Sequence, residues 1–196
     1  MDEMEGFFRK KGSGVFHEVS PLGDAGLVAV LHERGYRPLE FSNVLYLPLA
    51  ERVAGSVNEQ LRVRIAGSSE RELWARTSAA GWREFVEVAD LVAGLAGVIA
   101  STEGTAPFLV EMDGRAIATG ALAIRDGVAL FAGASTVPEY RRLGAQQALL
   151  KTRFRYAVEQ GCDLAMIVTA PGSASQRNAE RSGFRVAYTR VKWELS

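Results

Sequence analysis

The stretch that decides the fold is residues 128–160, VALFAGASTVPEYRRLGAQQALLKTRFRYAVEQ. Its apolar start predicts a strand, PEY predicts a loop, and the segment after the loop predicts a helix that Gly161 ends. The first N–H groups of a helix have no acceptor inside it and the helix dipole is positive there, so this order of elements favours anion binding. Gly144 allows the backbone to approach a ligand closely, and Arg141 and Arg142 add positive charge. The stretch therefore predicts a pyrophosphate site.

The helix after Gly144 has a wide apolar face, which indicates that it packs against a sheet. The positions expected to be buried are 148, 149, 150, 154, 157 and 158. The side chains expected to face water are those of Lys151, Arg153, Arg155 and Glu159.

Strands and helices alternate through the remainder of residues 60–196. In chain order we predict a strand at 61–66, a helix that follows the capping box Ser69-Glu70-Arg71-Glu72 and ends at Gly81, a helix at 86–100, strands at 106–112, 115–124 and 128–137, the helix described above, a strand at 163–170, a helix at 175–181 and a strand at 184–195. Asp-Gly pairs between the middle strands predict hairpins. The nearly continuous apolar run after Asp163 is typical of a strand covered on both faces.

Residues 1–59 have a less regular pattern. Residues 1–14 are charged and expected to be loose, a strand is predicted at 15–19, a helix capped by Asp24 follows, and residues 39–48 are expected to be extended. The segments 33–49 and 180–195 share an order of helix, Gly-aromatic-Arg and strand. We interpret residues 1–59 as a partial second copy of the end of the main domain, with chance similarity as the alternative.

The sequences VPEYRRLGA at 137–145 and NAERSGF at 178–184 resemble motifs of the GNAT superfamily of acyl-coenzyme A N-acyltransferases. The resemblance covers residues 60–196 and implies an α/β fold with a mixed, mostly antiparallel sheet and helices on both faces. Residues 1–59 would then be a degenerate GNAT-like strand-helix-strand segment. The resemblance also implies transfer of an acetyl group from acetyl-coenzyme A to a primary amine of a small-molecule or peptide acceptor, and it suggests a homodimer.

Carried over by position, the family motifs imply a donor-binding surface. The residues implied are Ser135, Thr136, Val137, Arg141, Arg142, Leu143, Gly144, Ala145, Gln146, Gln147 and Asn178. Main-chain amides of the loop would hold the pyrophosphate, and the end of the preceding strand would pair with the pantetheine arm. The thioester would lie where the family's fourth and fifth strands splay, here near Ala134 and Val168, with the N–H of Val137 donating to its carbonyl oxygen.

Departures from the family pattern concern the acid and the base. Gln146 replaces a small residue of the loop, and Ala179 stands where a tyrosine often protonates the leaving thiolate. The strand at 128–137 has no carboxylate or histidine to accept the proton of the amine, so Glu111 and Glu103 are the nearest candidates, each acting through water. A non-catalytic module that binds or senses acyl-coenzyme A is therefore the alternative function.

Composition excludes several other classes of protein. The 196 residues carry 23 basic and 23 acidic side chains, so no nucleic-acid partner is expected. The single cysteine, Cys162, rules out an intrachain disulfide and fits a cytoplasmic protein, and no apolar run is long enough to span a membrane. No cluster of cysteine and histidine indicates a metal, and no serine-hydrolase or nucleotide-loop motif occurs.

The walls of the acceptor pocket are expected to come from the helices between residues 69 and 100. Trp74, Trp82 and Phe85 are the aromatic candidates on this segment, and core packing is an equal alternative for each. The charges of the segment are mixed, so they do not identify the acceptor.

Overall fold

A computed structural model describes residues 1–49, 58–84 and 86–195, with the backbone alone at 86–91 and 93. The chain forms two compact units: the terminal unit, residues 1–46 and 168–196, and the central unit, residues 47–167. In chain order the elements are α1 Asp2–Lys10, β1 Phe16–Val19, α2 Gly26–Glu33, β2 Tyr36–Pro48, β3 Arg62–Ile65, α3 Arg71–Ala80, α4 Val86–Ser101, β4 Thr105–Met112, β5 Arg115–Arg125, β6 Val128–Thr136, α5 Ala145–Glu159, β7 Leu164–Thr169, α6 Ala174–Arg181 and β8 Arg185–Leu195. Within the described ranges, no helix is both long enough and apolar enough to cross a bilayer.

The predicted elements after residue 14 are confirmed, most of them within one residue at each end. The expectation of a loose start is wrong, because Asp2–Lys10 form α1. Acidic side chains in the first turn and basic ones in the last turn suit the helix dipole. Glu5 is buried, and its Oε1 accepts a hydrogen bond from Nε of Arg34 at 2.8 Å. This tertiary contact anchors the helix and leaves no signal in the local sequence.

In the terminal unit, β8 lies between β1 and β2 and pairs antiparallel with both. The small core of this unit contains Val15, Val19, Leu31 and Tyr36. The Tyr36 hydroxyl donates to Glu5 Oε1 at 3.2 Å, which joins α1 to this core. The strand-helix-strand order expected in residues 15–48 is present. The interpretation of residues 1–59 as a partial copy of the main domain, and the boundary after residue 59, stay predictions.

In the central unit the strand order is β7-β6-β5-β4-β3, parallel between β6 and β7 and antiparallel elsewhere. A Cβ built on Gly120 of β5 would point at Arg153 of α5, whereas the next residue, Ala121, packs in a cluster with Trp74 of α3. Successive strand residues face opposite sides of a sheet, so α3 and α5 lie on opposite faces. The predicted fold class, a mixed and mostly antiparallel sheet with helices on both faces, is confirmed.

The start of α3 differs from the predicted capping box. The carboxylate of Glu70 accepts the N–H of Gly67 at 2.8 Å and caps a 3-10 turn at Ser68–Glu70, which leads into α3; α3 itself has no side-chain cap. Glu72 is exposed and lies 3.6 Å from Arg76, one turn further along the helix. The capping acid is therefore two residues earlier than predicted.

The buried face of α5 also differs from the prediction. Ala148, Leu149, Phe154 and Ala157 are buried as expected. Val158 is 54% exposed, however, and Arg153 is only 2% exposed. Arg153 stands four residues after Leu149 and four before Ala157, so the helical period places it on the buried stripe. Its residue type led to the wrong prediction, because arginine is rarely buried.

Candidate functional site

Among the described residues, no strand pairs with the second half of β6 on the side away from β5. Val128–Phe131 pair in parallel with Leu164–Ile167, and the register with β7 ends there. From there β6 continues to Thr136 in antiparallel register with β5. The second half of β6 therefore offers main-chain groups on the side away from β5.

A β-bulge lies in this open half. The register between the strands shifts between Thr119 and Ala121, so β6 carries one residue more than β5 at that point. Gly133 has a φ of 59° there, and its carbonyl accepts a hydrogen bond from Thr119 Oγ1 at 3.2 Å. A Cβ on Gly133 would lie 3.1 Å from the Trp74 ring. Backbone conformation and packing therefore both require glycine at this position.

One hydrogen bond determines which way the main chain of β6 points. The N–H of Val137 donates to Ile117 O at 2.9 Å. Successive residues of a regular strand direct their main-chain groups to opposite edges, so the N–H of Thr136 faces the open edge. Ala134 lies within the bulge and is exposed. The N–H of Val137, expected at a thioester carbonyl, instead has an acceptor within the sheet.

The loop before α5 has the backbone form of an anion nest. Arg142 and Gly144 have φ values of 66° and 87°, and the first helical bond runs from the N–H of Ala148 to Gly144 O at 2.9 Å. The N–H groups of residues 145–147 therefore have no acceptor inside the helix. A Cβ built on Gly144 would meet no atom of the described residues within 4 Å, so these residues leave space for a ligand. The positive φ of Arg142 is strain of the kind that occurs at ligand sites.

The two arginines of the loop have different environments. Arg141 Nη1 donates to Glu84 at 2.5 Å, and its Nη2 donates to Gly81 O at 3.1 Å. Arg142 is exposed. Arg141 therefore ties the loop to the segment after α3, and Arg142 is the cation whose charge is available to a phosphate.

The side chain of Gln146 points back towards β6. Its Nε2 donates to Ser135 O at 3.0 Å and to Thr136 Oγ1 at 2.8 Å. These bonds join the first turn of α5 to the end of the strand. The nest and the open strand edge are consequently held in one fixed arrangement.

The end of α3 rests directly on the end of β6. Ser135 Oγ donates to Ser78 O at 2.7 Å in a buried contact. A Cβ on Gly81 would come within 1.8 Å of Ser135 Oγ and 3.0 Å of the nitrogen of Thr136. Glycine is therefore required at position 81 by close approach, in addition to its predicted role of ending the helix.

The candidate base Glu111 lies in an ion-pair cluster. Its Oε1 accepts from Arg64 Nη2 at 2.6 Å, and Arg64 also pairs with Glu70 at 2.6 Å. The Arg64 guanidinium, together with the N–H of Gly67, lowers the pKa of Glu70 to about 2. Glu111 is on β4, which β5 separates from β6 by about 10 Å. Glu103, the other candidate, is exposed before β4. The assignment of either residue as the base stays a prediction.

The remaining predicted residues lie elsewhere. Asn178 is on α6 of the terminal unit, where its Oδ1 accepts from Arg181 Nη1 at 3.1 Å, and its role towards a donor stays a prediction. Trp74 is fully buried and its indole N–H donates to a β4 carbonyl at 2.9 Å, so it is a core residue. Trp82 is 39% exposed, and Phe85 lies outside the described residues.

Sequence reasoning missed two features of this region, the close approach at Gly81 and the bulge at Gly133. Gly133 was the available signal, because a glycine inside a predicted strand often marks a bulge. The close approach at Gly81 had no such signal, since a glycine after a helix is ordinary.

A family model described as acetyltransferase (GNAT) family matches residues 71–184, which is more than half of the chain. The chain belongs to the GNAT family of acetyltransferases. The matched range contains the open half of β6, the loop and α5. Among curated protein sequences, none matches this chain significantly.

Solved structures of other GNAT proteins share the fold. A GCN5-related N-acetyltransferase from Kribbella flavida is 22% identical, with a TM-score of 0.73 over 99% of this chain and 73% of that one. A tandem GNAT protein from the clavulanic acid biosynthesis pathway is 15% identical, with a TM-score of 0.66 over 96% and 66%. AAC(6')-Iy, in complex with the bisubstrate analogue CoA-S-monomethyl-acetylneamine, is 22% identical, with a TM-score of 0.52 over 64% and 90%. At these identities the likeness concerns the fold alone.

Proposed function

We propose that this GNAT chain is an N-acetyltransferase that moves an acetyl group from acetyl-coenzyme A to a primary amine. The observation that carries the proposal is the nest at residues 142–147, which follows directly on the open half of β6. The nest suits a diphosphate, and the strand edge suits an extended arm that contains amides. Both lie in one short segment of chain and are joined by the side chain of Gln146.

The residues of this segment fit the donor largely through main-chain groups. The N–H groups of residues 145–147 and the charge of Arg142 would hold the diphosphate, and main-chain groups of Thr136 would pair with the arm. When bound, acetyl-coenzyme A would supply a thioester, which is an activated acyl group. We assign the N–H of Ala134, rather than that of Val137, as the donor to its carbonyl oxygen, because Val137 donates within the sheet.

The acceptor amine must reach the thioester without its extra proton. An alkylammonium has a pKa of about 10.4, so loss of a proton to water precedes the attack. The new C–N bond then forms as the C–S bond breaks, and a thiol with a pKa of about 8.5 leaves adequately as its thiolate. The nitrogen gives its remaining extra proton to that thiolate or to water, which completes the amide. The leaving thiolate therefore needs no acid at position 179, where the family often has a tyrosine and this chain has a buried alanine. Positioning and the main-chain donor would supply most of the acceleration.

The ion pair of Glu111 with Arg64 favours a second candidate function, a module that binds acyl-coenzyme A without turnover. With Glu111 engaged, the chain would depend on water for deprotonation of the amine. A turnover assay therefore separates the two candidates.

Thermal unfolding with and without coenzyme A tests the donor assignment. Ligand at 100 times its dissociation constant stabilises the folded state by about 2.7 kcal/mol. For a chain of this size that raises the Tm by roughly 5–10 °C. An unchanged Tm at millimolar coenzyme A and acetyl-coenzyme A would contradict the assignment of the loop.

Release of free thiol from acetyl-coenzyme A tests turnover. The acceptor panel contains alkyl amines, peptides with free amino groups, and aminoglycosides, the last because the AAC(6')-Iy analogue contains acetylneamine. Release above the rate without acceptor supports the transferase. Binding of the donor with no release for any acceptor class supports the binding module.

A further inference from the structure

The central unit contains a buried arginine in its core. Arg153 of α5 is 2% exposed, and burial lowers the pKa of its guanidinium to about 10, so it stays charged at neutral pH. Across the part of the chain that the structure describes, no carboxylate pairs with it, and burial is the single cause of its pKa shift. A charge buried without an anion is costly. The groups around it therefore indicate what it does.

The guanidinium bridges β5 and β6 beside the bulge. Its Nη1 donates to Ala121 O at 3.1 Å and to Ala132 O at 3.3 Å, while Nε lies 3.4 Å from Leu149 O on its own helix. Ala121 and Ala132 are register partners, and they form the last pair before the register shifts. The cation therefore joins the two strands at the residue pair where the bulge begins.

Packing holds the guanidinium in this place. Its Cζ lies 4.9 Å from the centroid of the Phe131 ring, which gives a cation–π contact. A Cβ built on Gly120 would lie 3.1 Å from both Cζ and Nη1. The absent side chain at position 120 thus makes the room that the guanidinium occupies. Because the guanidinium is confined in this way, it can fix the positions of the two backbone carbonyls that it binds.

We propose that Arg153 is a positioning residue for acyl transfer, holding the bulge at Gly133 so that the N–H of Ala134 is aimed at the thioester carbonyl. The inference rests on the proposed function. Ala132, whose carbonyl Arg153 binds, is separated from Ala134 by the bulge glycine alone. Arg153 lies about 12 Å along α5 from the start of the helix. The helix whose first turn would hold the diphosphate would therefore also position the N–H of Ala134.

The test observes the thioester carbonyl directly. The full chain is saturated with acetyl-coenzyme A carrying ¹³C at the acetyl carbonyl, whose resonance moves downfield when the oxygen accepts a hydrogen bond. We expect that shift in the unsubstituted chain, its loss in Arg153→Met, which fills space without donors, and its partial return in Arg153→Lys. Arg155→Met is the matched control, because Arg155 is on the same helix with a side chain 74% exposed. It should keep the full shift.

Binding of coenzyme A without the acetyl group, measured by calorimetry, should be the same in all four proteins, because the nest is unchanged. Where an acceptor is found, thiol release should fall about 10- to 100-fold in Arg153→Met with little change in KM for the donor. Gly120→Ala keeps the charge but crowds the guanidinium, so it should reproduce the loss of the shift even if Arg153→Met does not fold.

Two results overturn the inference while leaving donor binding intact. One is a full downfield shift in folded Arg153→Met or folded Gly120→Ala, and the other is an unshifted resonance in the unsubstituted chain that nevertheless binds coenzyme A. Failure of the unsubstituted chain to bind coenzyme A overturns the proposed function and this inference together.

Discussion

Gln146 Nε2 lies 3.0 Å from the carbonyl oxygen of Ser135 and joins the first turn of α5 to the end of β6. Gln146 stands where the family loop usually has a small residue. In the structure the side chain is turned towards the strand, where it also donates to Thr136 Oγ1 at 2.8 Å. The residue that departs from the family pattern therefore fixes the nest relative to the strand edge.

Gln146→Leu removes this link while keeping most of the side-chain volume. Loss of the hydrogen bonds should cost about 1 kcal/mol in coenzyme A affinity, roughly fivefold in Kd, because the nest and the strand edge are no longer held together. Isothermal titration calorimetry measures the change. Gln160→Leu, the same replacement at the exposed end of α5, is the control. Equal affinity in both variants would show that the link has no role in binding.

Gly81→Ala should destabilise the fold by about 1–3 kcal/mol, because the new methyl group would overlap Ser135 Oγ and push α3 away from β6. Urea unfolding gives the free energy directly. Gly94→Ala is the matched control: its Cβ meets no atom of the described residues within 4 Å, and alanine in a helix interior should stabilise by about 0.5–1 kcal/mol. A Gly81→Ala variant as stable as the parent would refute the close approach.

Arg142→Ala should weaken coenzyme A binding by about 1.5–3 kcal/mol, because a charge-assisted contact to phosphate is lost. Arg142→Gly should lose the same affinity but be more stable than the alanine variant by about 1 kcal/mol, since glycine accepts the φ of 66° without strain. Arg125→Ala removes a cation whose side chain is 93% exposed at the end of β5, and serves as control. If all three variants bind equally well, the cation of the loop does not contact the ligand.

Gly144→Ala separates backbone strain from ligand space. A Cβ at a φ of 87° should cost about 1–2 kcal/mol of folding stability and should also reduce coenzyme A binding, because it projects into the open nest. Gly12→Ala carries a similar strain, at a φ of 68°, in the terminal unit and should leave binding unchanged. Tm and calorimetric affinity are measured for both. An unchanged coenzyme A affinity in Gly144→Ala would show that the ligand does not bind at this turn.

Lowering the pH should reduce the contribution of Glu70 to the free energy of unfolding. Its pKa in the folded protein is about 2, below the ordinary 4.5, so its interactions with Arg64 and the Gly67 N–H stabilise the fold fully above about pH 4.5. That contribution is lost as the pH falls through the folded value. The stability difference between the parent and Glu70→Gln should therefore be largest at pH 7 and shrink towards pH 2. Denaturant unfolding across this range checks the trend, and a constant difference would disprove it.

Local pattern was sufficient for the elements after residue 14, because they depend on neighbours in the chain, whereas α1 was missed because a tertiary contact anchors it. The sequence features that predicted these elements were the hairpin Asp-Gly pairs, the strand-loop-helix order and Gly144. The structure confirms the elements that they predicted. Arg153 shows the limit of this reasoning. Its position on the buried stripe was visible from spacing, but what would offset the burial of a charge was not, since the carbonyls of Ala121 and Ala132 come from two other elements.

By itself, the sequence determined the order of strands and helices after residue 14, the prediction of an anion site at the turn before α5 and the resemblance to the GNAT family, since each depends on residues that are adjacent or regularly spaced. The tertiary structure alone decided that Val137 donates within the sheet, that Gly81 touches Ser135 and that Glu111 is held by Arg64. These three facts depend on residues from separate elements meeting at distances of a few ångströms. Such meetings are set by register and packing, which no short segment of sequence contains.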